Sequence, residues 1–202
     1  MFIAFEGIDG SGKSTLSFKV TQWLLDNERE VSLTREPRDP YRSIIFDPTT
    51  SDKEELLLFM ADRIKHIREV IKPAINNGVD VITDRYFLSS YAYQAYAKNS
   101  LMNGALISTI HSWMAEDFIY PDLIFVLTMD PEIALSRATD KNKFEAKGLD
   151  YYKRLAEFYS KYAKNFPNVY LIDASQSLEK VFSDTITILE DYLKDHNEVK
   201  YS

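Results

Sequence analysis

A nine-residue stretch near the start of the chain, residues 7–15, constrains its fold more than any other part of the sequence. It reads Gly-Ile-Asp-Gly-Ser-Gly-Lys-Ser-Thr and matches the pattern G-x-x-x-x-G-K-S/T at Gly7, Gly12, Lys13 and Ser14. Glycine is needed in such a loop because the backbone takes unusual angles and must approach an anion closely. The pattern is typical of loops that bind a nucleoside triphosphate, with Lys13 at the outer phosphates and Ser14 on the accompanying magnesium.

The residues on either side of the loop strengthen this interpretation. Residues 2–6 form a short apolar run, which predicts a buried strand, and residues 14–26 carry apolar side chains at helical spacing. A strand, a glycine-rich turn and a helix direct backbone N–H groups and a helix N-terminus toward one anion. A chance match at an ordinary strand–helix turn is the weaker alternative. The predicted phosphate-binding residues are Gly7, Ile8, Asp9, Gly10, Ser11, Gly12, Lys13, Ser14 and Thr15.

The composition favours an ordinary globular domain. With 202 residues, 45% of them hydrophobic and 27% charged, the chain can bury one core and needs no second domain. It has no cysteine, which excludes disulfides, thiolate metal sites and a cysteine nucleophile. The net charge of −7 argues against a general nucleic-acid surface. Because there is neither a secretory signal pattern nor an apolar run near the roughly 18 residues that cross a bilayer, we expect a cytoplasmic protein that contacts no membrane.

Strands alternate with helices along the chain. The sequence predicts strands at 2–6, 31–34, 79–83, 123–128 and 169–172, and helices at about 14–26, 53–77, 101–118, 131–138, 149–165 and 177–195. Such alternation, with strands that are continuous apolar runs, is typical of a parallel sheet covered by helices on both faces. We therefore predict the α/β class, with a five-stranded parallel sheet flanked by helices in a single domain over residues 1–202.

Charged or phosphate-binding motifs follow the first three predicted strands. The phosphate loop follows the first strand, Thr-Arg-Glu-Pro-Arg-Asp at 34–39 follows the second, and Asp-Arg-Tyr at 84–86 follows the third. In open parallel sheets, ligands bind beyond the carboxyl ends of the strands. The three motifs are therefore expected to lie along one edge of the sheet and to contribute to one site.

Three charged residues of these motifs each allow two interpretations. Asp84 can hold magnesium, directly or through water, or it can cap a turn or helix. Arg85 can bind a phosphate through two parallel N–H donors, or it can form a surface ion pair of little energetic value. Asp9 is unusual as a negative charge within an anion-binding loop. It would contact a sugar hydroxyl of a second substrate or a magnesium-bound water, or else bond the backbone of its own turn.

The predicted helix 53–77 carries an arginine on its apolar side. Arg63 falls near the middle of the apolar stripe, one turn after Phe59. An inward guanidinium needs acceptors, because burying it unpaired is costly. A planar base stacked on Phe59, with a carbonyl facing Arg63, would supply one. The alternative is Phe59 in the core and Arg63 paired with a buried carboxylate, and the residues alone do not separate the two.

Two further segments are less informative. Residues 88–94 are rich in hydroxyl and amide groups, but on their own they favour a part-buried aromatic start of a helix. Residues 139–148 are polar, which is typical of a solvated connection or of a mobile cover over a site. In the second case, Lys141 and Lys143 would neutralise charge during phosphoryl transfer. The histidines show no metal-ligand spacing and are not predicted to be catalytic: His66, His111 and His196.

Taken together, these motifs resemble those of the thymidylate kinases, a group of nucleoside monophosphate kinases. The resemblance covers almost the whole chain and rests on residues 5–15, 34–37, 58–63, 71–74, 84–86, 92–94 and 120–123. The pairing of Phe59 with Arg63, together with the motifs at 84–86 and 92–94, is more specific than the phosphate loop. The resemblance implies a P-loop kinase fold with a short lid at about 139–148. It also implies transfer of the γ-phosphoryl group of ATP to dTMP with Mg²⁺, giving dTDP and ADP.

The resemblance further implies roles for individual residues. The residues that would bind dTMP are Asp9 near the sugar, Arg35 and Arg85 on the phosphate, Phe59 and Arg63 on the base, and Ser90, Tyr93 and Gln94 along the nucleoside. The catalytic residues would be Lys13, Arg85, Lys143 and Asp9, with Ser14 and Asp84 at the metal and Arg137, Lys141 and Lys143 in or beside the lid near ATP. The family usually dimerises through helices, and the apolar stretches near 56–71 and 105–118 would serve a homodimer.

The chain departs from the family pattern at three places. Arg38 and Asp39 follow Arg-Glu-Pro where many bacterial members have two glycines, so the acceptor-side loop is expected to differ. Some members carry a catalytic arginine in the phosphate loop, where this chain has Gly10. Members without that arginine usually have one in the lid, and here Lys143 is the expected replacement because of its spacing before Phe-Glu at 144–145. A lysine neutralises charge but cannot bind two oxygens in parallel.

Overall fold

The computed structural model describes residues 1–114, 117–137 and 147–197. Its centre is a parallel sheet whose strands are β1 (Phe2–Gly7), β2 (Val31–Arg35), β3 (Asp80–Asp84), β4 (Leu123–Thr128) and β5 (Val169–Asp173). They lie in the order β2-β3-β1-β4-β5, and every pair of neighbours is parallel. The five-stranded parallel sheet predicted from the sequence is therefore confirmed.

The inner strands form the centre of the core. β1 is buried from end to end and β4 is buried up to its last residue, because both have a strand on either side and helices above and below. The outer strands differ from this pattern. Leu33 of β2 and Leu171 of β5 are 41% and 42% exposed, because each strand lies at an edge of the sheet where the covering is incomplete.

Helices pack around this sheet in the described residues. The α-helices are α1 (Lys13–Asp26), α2 (Tyr41–Ile45), α3 (Asp52–His66), α4 (Lys72–Asn76), α5 (Phe87–Ser90), α6 (Leu101–Trp113), α7 (Pro131–Arg137), α8 (Leu149–Glu157) and α9 (Leu178–Asn197). Turns of π-helix continue α3, α5 and α8 at Ile67–Ile71, Tyr91–Tyr96 and Phe158–Tyr162, and a 3-10 turn follows at Ala163–Asn165. None of these helices is long and apolar enough to span a membrane.

Each helix predicted from the sequence has a counterpart, and the helix start favoured at residues 88–94 corresponds to α5 and its π-helical turn. The predicted helix 53–77 is α3, a π-helical turn and α4 in succession, and α6 ends at Trp113 rather than near residue 118. Among the described residues, the α-helix that was not predicted is α2, which has too few residues for a periodic pattern, and the π-helical form of the turn after α5 was not predicted either. A π-helical turn adds residues between side chains on the same face, which obscures the 3.6-residue spacing.

The strand register brings the three motifs to one edge of the sheet. Asp84 at the end of β3 lies opposite Phe5 of β1 on one side and opposite Arg35 of β2 on the other. The phosphate loop, residues 34–39 and residues 84–86 therefore begin side by side, as expected from the sequence. Of the predicted lid 139–148, residues 139–146 lie outside the described part of the chain, so Lys141 and Lys143 do too.

Candidate active site

Two glycines determine the path of the loop after β1. Gly7 has a φ angle of +140° and Gly10 has a φ angle of +83°, which favour glycine. A Cβ atom on Gly7 would lie 2.6 Å from the carbonyl oxygen of Leu127, and one on Gly10 would lie 2.0 Å from that of Ala134. Both obstacles are backbone atoms, so a larger residue at either position would displace the loop.

The loop passes directly into α1, and its polar groups face outward from the sheet edge. The first turn of α1 has no side-chain cap, so its backbone N–H groups have no acceptor within the helix. The buried hydroxyl of Ser11 has no hydrogen-bond partner among the described residues. Unpaired donors at a helix N-terminus suit an anion with several oxygens.

Lys13, the first residue of α1, lies against this loop and is only 5% exposed. Its Nζ donates to the carbonyl oxygen of Ile8 at 2.8 Å. Burial, with the nearby charge of Arg85, lowers the pKa of Lys13 to about 8, although Asp9, Asp84 and Glu6 act in the opposite direction. A buried ammonium group held by a single carbonyl gains from an incoming phosphate, which would supply the missing counter-charge.

Ser14 and Asp84 form an oxygen pair at the mouth of the loop. The Ser14 hydroxyl donates to Oδ2 of Asp84. The other carboxylate oxygen of Asp84, Oδ1, is buried and accepts a hydrogen bond from no described residue. A hydroxyl and a carboxylate with an unused oxygen are the donor set that Mg²⁺ prefers in nucleotide sites. The residues present therefore fit a magnesium ion.

Asp9, Arg85 and Tyr93 form a charged cluster next to the loop. Arg85 Nη2 pairs with Oδ1 of Asp9, and the Tyr93 hydroxyl donates to Oδ2 of Asp9 at 2.9 Å. Arg85 Nη1 donates to the carbonyl oxygen of Gly7 at 3.2 Å. Burial raises the pKa of Asp9, but Arg85, Lys13 and the Tyr93 hydroxyl outweigh it and hold that pKa at about 2. The carboxylate of Asp9 thus bonds side chains and not the backbone of its own turn.

Arg63 lies in a buried network behind this cluster. Its side chain is 1% exposed, and its Nη2 and Nε donate to Oε2 of Glu36 at 2.6 and 3.0 Å. Nη2 also donates to the carbonyl oxygen of Tyr86 at 2.9 Å, and Nη1 donates to the Ser90 hydroxyl at 2.9 Å. Burial lowers the pKa of Arg63, but the adjacent carboxylate of Glu36 has the opposite effect. The net result is a pKa above the ordinary value for arginine, so the guanidinium stays charged. The pairing with a buried carboxylate is therefore present, while contact with a base stays a prediction.

The other residues predicted for the acceptor lie around this network. Phe59 is half-buried and packs against the core, one turn before Arg63 on α3. Ser90, at the end of α5, and Gln94, on the π-helical turn Tyr91–Tyr96, are each 1% exposed. These residues converge with Arg63 from two separate parts of the chain. Their roles toward a nucleoside stay predictions.

Three predicted residues have exposed side chains. Arg35 is exposed at the end of β2, beside Asp84 in the sheet register, and Thr15 is exposed on the first turn of α1. Arg137 is exposed at the end of α7, and its Nη1 lies 3.7 Å from the sulfur of Met129. These side chains lie where a ligand can reach them.

A model of the thymidylate kinase family matches residues 5–185. The chain belongs to the thymidylate kinase family. It is 37% identical to the thymidylate kinase of Thermosipho africanus, over 96% of this chain and 100% of that protein, and 36% identical to the one of Wolbachia pipientis, over 94% and 95%. The crystal structure of the Ehrlichia chaffeensis thymidylate kinase matches with a TM-score of 0.75 at 29% identity, covering 94% of this chain and 98% of that one.

Membership of the thymidylate kinase family makes the chain a phosphotransferase and agrees with a P-loop kinase fold. The structure also shows a buried carboxylate at this site, Glu6, that was not predicted as a site residue. Glu6 is fully buried and accepts from the backbone N–H groups of Tyr86 and Ser89 and from the hydroxyls of Ser89 and Tyr159. Glu6 directly precedes the phosphate loop and lies within residues 5–15, which carry part of the family resemblance, and this position was the available signal. Glu6 holds α5 against β1 and so positions Arg85.

The acceptor-side loop carries Arg38 and Asp39 after Glu36 and Pro37, and the structure shows what Arg38 does. Its backbone N–H and its Nε donate to the two carboxylate oxygens of Asp62, at 2.9 and 3.1 Å. His66, one turn later on α3, bonds Glu36 through Nδ1 at 2.9 Å and the Thr34 hydroxyl through Nε2 at 3.0 Å. The loop is thus anchored to α3 by charged side chains. His66 thus links α3 to Thr34 and Glu36, and the expectation that it is not catalytic stays a prediction.

Proposed function

We propose that this chain transfers the γ-phosphoryl group of ATP to dTMP, giving dTDP and ADP. One observation carries the proposal beyond family membership. The guanidinium of Arg85 donates to the carbonyl oxygen of Gly7 and pairs with Asp9, both within the phosphate loop. A group suited to a second phosphate therefore touches the loop suited to the first, as in-line transfer between two nucleotides requires.

The donor nucleotide is held by the phosphate loop. Backbone N–H groups of residues 7–15 bind its phosphates, and Lys13 exchanges the carbonyl of Ile8 for a phosphate oxygen. Ser14 and Asp84 would hold Mg²⁺, directly or through water. When bound, the metal would neutralise charge on the phosphates. The contribution of these residues is position and charge, and no side chain forms a covalent bond.

The acceptor phosphate and sugar lie beside the Asp9 cluster. Arg85 binds the phosphate of dTMP, with Arg35 approaching from the end of β2. Asp9 and Tyr93 face the sugar, and they are already held to each other and to Arg85. Because Asp9 stays ionised and paired, it places Arg85 without itself accepting a proton at neutral pH. This cluster links the acceptor to the phosphate loop.

The acceptor base lies between Phe59 and the side chains of Arg63, Ser90 and Gln94. Phe59 stacks on the ring. Arg63 has five N–H donors, of which four are engaged by Glu36, Ser90 and the Tyr86 carbonyl. The remaining N–H, on Nη1, makes only a 3.5 Å contact with Nε2 of His111. We assign this donor to a carbonyl of the base.

The segment 139–148 completes the site as a lid in this proposal. Lys143, with Lys141, supplies positive charge to the phosphoryl group in transit, and Arg137 at the end of α7 approaches the bound ATP. A lysine acts there as a point charge, so it stabilises charge without fixing the geometry of two oxygens. We also expect the enzyme to act in the cytoplasm.

The same proposal includes a homodimer through α3 and α6. α6 buries only Ile107 and His111, while Leu101, Met102 and Trp113 are 93%, 78% and 78% exposed. Leu57 on α3 is 55% exposed nearby in the fold. Apolar surface of this kind, on a helix packed against α3, is typical of a subunit interface. Light scattering on the purified protein should give twice the chain mass. A mass equal to one chain would contradict the proposed homodimer.

A side-by-side assay of acceptors tests the proposed function. ADP release with ATP and Mg²⁺ is measured with dTMP, dUMP, UMP and thymidine, and dTMP should give the highest kcat/KM. A preference for one of the other acceptors would mean the same chemistry on another substrate. Tight ATP binding without acceptor-dependent ADP release would mean a nucleotide-binding regulator and would reject the proposal.

A further inference from the structure

The amide of Gln94 is held by a carboxylate from another helix. Its Nε2 donates to Oε1 of Glu55 at 3.0 Å, and Glu55 lies in the first turns of α3. Glu55 is fully buried and Gln94 is 1% exposed. The contact joins positions 39 residues apart, so it is a feature of the tertiary fold and not of one helix.

The chemistry of this contact fixes which way the amide points. An ionised carboxylate only accepts hydrogen bonds, so the NH₂ group of Gln94 must face Glu55. The carbonyl oxygen of Gln94, Oε1, is therefore directed the other way, and no described residue donates to it. A fixed amide with an unused oxygen presents one acceptor to a ligand.

The charge of Glu55 is balanced by Lys98. Lys98 Nζ lies 2.9 Å from the same Oε1 and 2.8 Å from Oδ1 of Asp52, and its side chain is 9% exposed. The ammonium group thus joins the segment just after the π-helical turn to two carboxylates in the first turn of α3. Because an ammonium group only donates hydrogen bonds, Oε1 of Glu55 is the acceptor for both Lys98 and Gln94, and this keeps the amide in one orientation.

We propose that Glu55, supported by Lys98, is a positioning residue that makes the acceptor site select bases with an N3–H group. Thymine and uracil carry a donor at N3, whereas cytosine carries a lone pair there. The Gln94 oxygen accepts a hydrogen bond from the N3–H group of thymine or uracil. With cytosine it faces the N3 lone pair, another acceptor, and one buried hydrogen bond is lost. This inference rests on the proposed function for the location of the base at Gln94.

Equilibrium binding of dTMP and dCMP, measured by calorimetry, tests the inference without using turnover. The wild-type chain should bind dTMP more tightly than dCMP. In Glu55→Met, the Gln94 amide is free to rotate, and the ratio of the two affinities should fall about tenfold, the effect of one buried hydrogen bond. Lys98 keeps its contact with Asp52 in this variant, so no buried charge is left alone.

Two matched variants separate orientation from a merely structural role. Glu55→Gln can still accept from Gln94 Nε2 with its own carbonyl held by Lys98, so its ratio should stay within about threefold of wild type. Asp52→Asn alters a 65%-exposed partner of Lys98 that does not contact Gln94, and it should leave the ratio unchanged. If Glu55→Met fails to fold, the double variant Glu55→Met/Lys98→Met replaces the buried pair by apolar side chains and takes its place.

The outcomes distinguish this inference from the proposed function. A proportional loss of both affinities in Glu55→Met, with an unchanged ratio, would overturn the role of Glu55 while leaving dTMP as the acceptor. Equal binding of dTMP and dCMP by the wild-type chain would overturn it as well. Selective dTMP binding without phosphoryl transfer would reject the proposed function and leave the selection of the base intact.

Discussion

The two ends of the active site are built in different ways. The donor end is the phosphate loop, residues 7–15, with Asp84 at its mouth. Its groups come almost entirely from one stretch of backbone, and Ser14 and Thr15 are exposed. The acceptor end is the network of Glu36, Glu55, Arg63, Ser90 and Gln94. Its groups are side chains from the region after β2, from α3 and from α5 with its π-helical turn, and every one of them is buried.

Because of this difference, the side chains of the donor end should matter for activity and little for stability, whereas those of the acceptor end should matter for both. A side chain of the donor end can be removed with little loss of packing, because the loop conformation depends on glycines and strand ends. At the acceptor end, the charges that would meet the base also hold α3 to the segment after β2. Changes there should therefore affect folding and activity together.

Replacing Lys13 should give the largest effect, and it should appear in activity alone. In Lys13→Met, turnover should fall by about 10³–10⁴-fold, because the phosphates lose a charge in a buried site. The free energy of unfolding should hardly change, since burial of this ammonium is unfavourable, as its lowered pKa indicates. Steady-state kinetics and thermal unfolding of the same preparation check both statements.

The matched control for that experiment is Lys19→Met on the same helix. Lys19 lies 5.5 Å over the ring of Phe182, away from the loop. Its removal should leave turnover within about twofold of wild type, as expected for a surface side chain. A loss of turnover in Lys13→Met that is matched by Lys19→Met, or a large loss of stability in Lys13→Met alone, would contradict the separation proposed for the donor end.

Replacing Arg63 should break the acceptor end in both respects. Arg63→Leu leaves Glu36 buried without its main partner and should lower the free energy of unfolding by about 3 kcal/mol. The value lies at the low end for such a loss because His66 still contacts the other oxygen of Glu36. Urea unfolding measures the change, and kcat/KM for dTMP should fall in the same variant.

Arg68→Leu is the control on the same long helical segment. Arg68 is 69% exposed and pairs with Glu69, which is also exposed, so its removal should cost less than about 0.5 kcal/mol. Equal stability of the Arg63 and Arg68 variants would show that the buried pair adds nothing to the fold. Loss of stability with full activity toward dTMP would instead remove Arg63 from the base site.

The same difference explains what the sequence could predict. The donor end is a contiguous motif between a strand and a helix, so Gly7, Lys13 and Ser14 were found from local pattern, and the strand ends led to Asp84. At the acceptor end, the inward position of Arg63 was visible in the apolar stripe, and the structure confirms its burial. Its partner Glu36 was not chosen as a site residue, because only the fold brings together positions 27 residues apart.

The role of Glu55 was out of reach for the same reason. Within α3 it is an acidic residue in the first turn, which is ordinary at a helix N-terminus. Its contact with Gln94 depends on the π-helical turn, which the regular helical spacing did not predict. Sequence patterns report periodic packing and local motifs, whereas buried charge networks depend on which helices become neighbours.

The pH dependence of kcat/KM gives the smallest of these effects. It tests whether the donor end depends on the positive charge of Lys13. The pKa of Lys13 is lowered to about 8 from an ordinary value of 10.5. In the free enzyme, Lys13 loses its proton above pH 8, and kcat/KM for ATP at saturating dTMP should then fall about tenfold per pH unit. At saturating ATP the bound phosphates favour the charged form, so kcat should stay level to higher pH.

The stability contribution of Lys13 should change in the opposite direction over the same range. Between pH 8 and 10.5 the unfolded chain keeps the lysine proton that the folded chain has lost. The unfolded state then binds more protons, so the part of the unfolding free energy due to Lys13 rises with pH while ATP binding weakens. Lys19→Met should reproduce the wild-type profile. A kcat/KM that stays flat to pH 9.5 would mean that Lys13 is not the buried, weakly paired cation that makes the donor end receptive to phosphate.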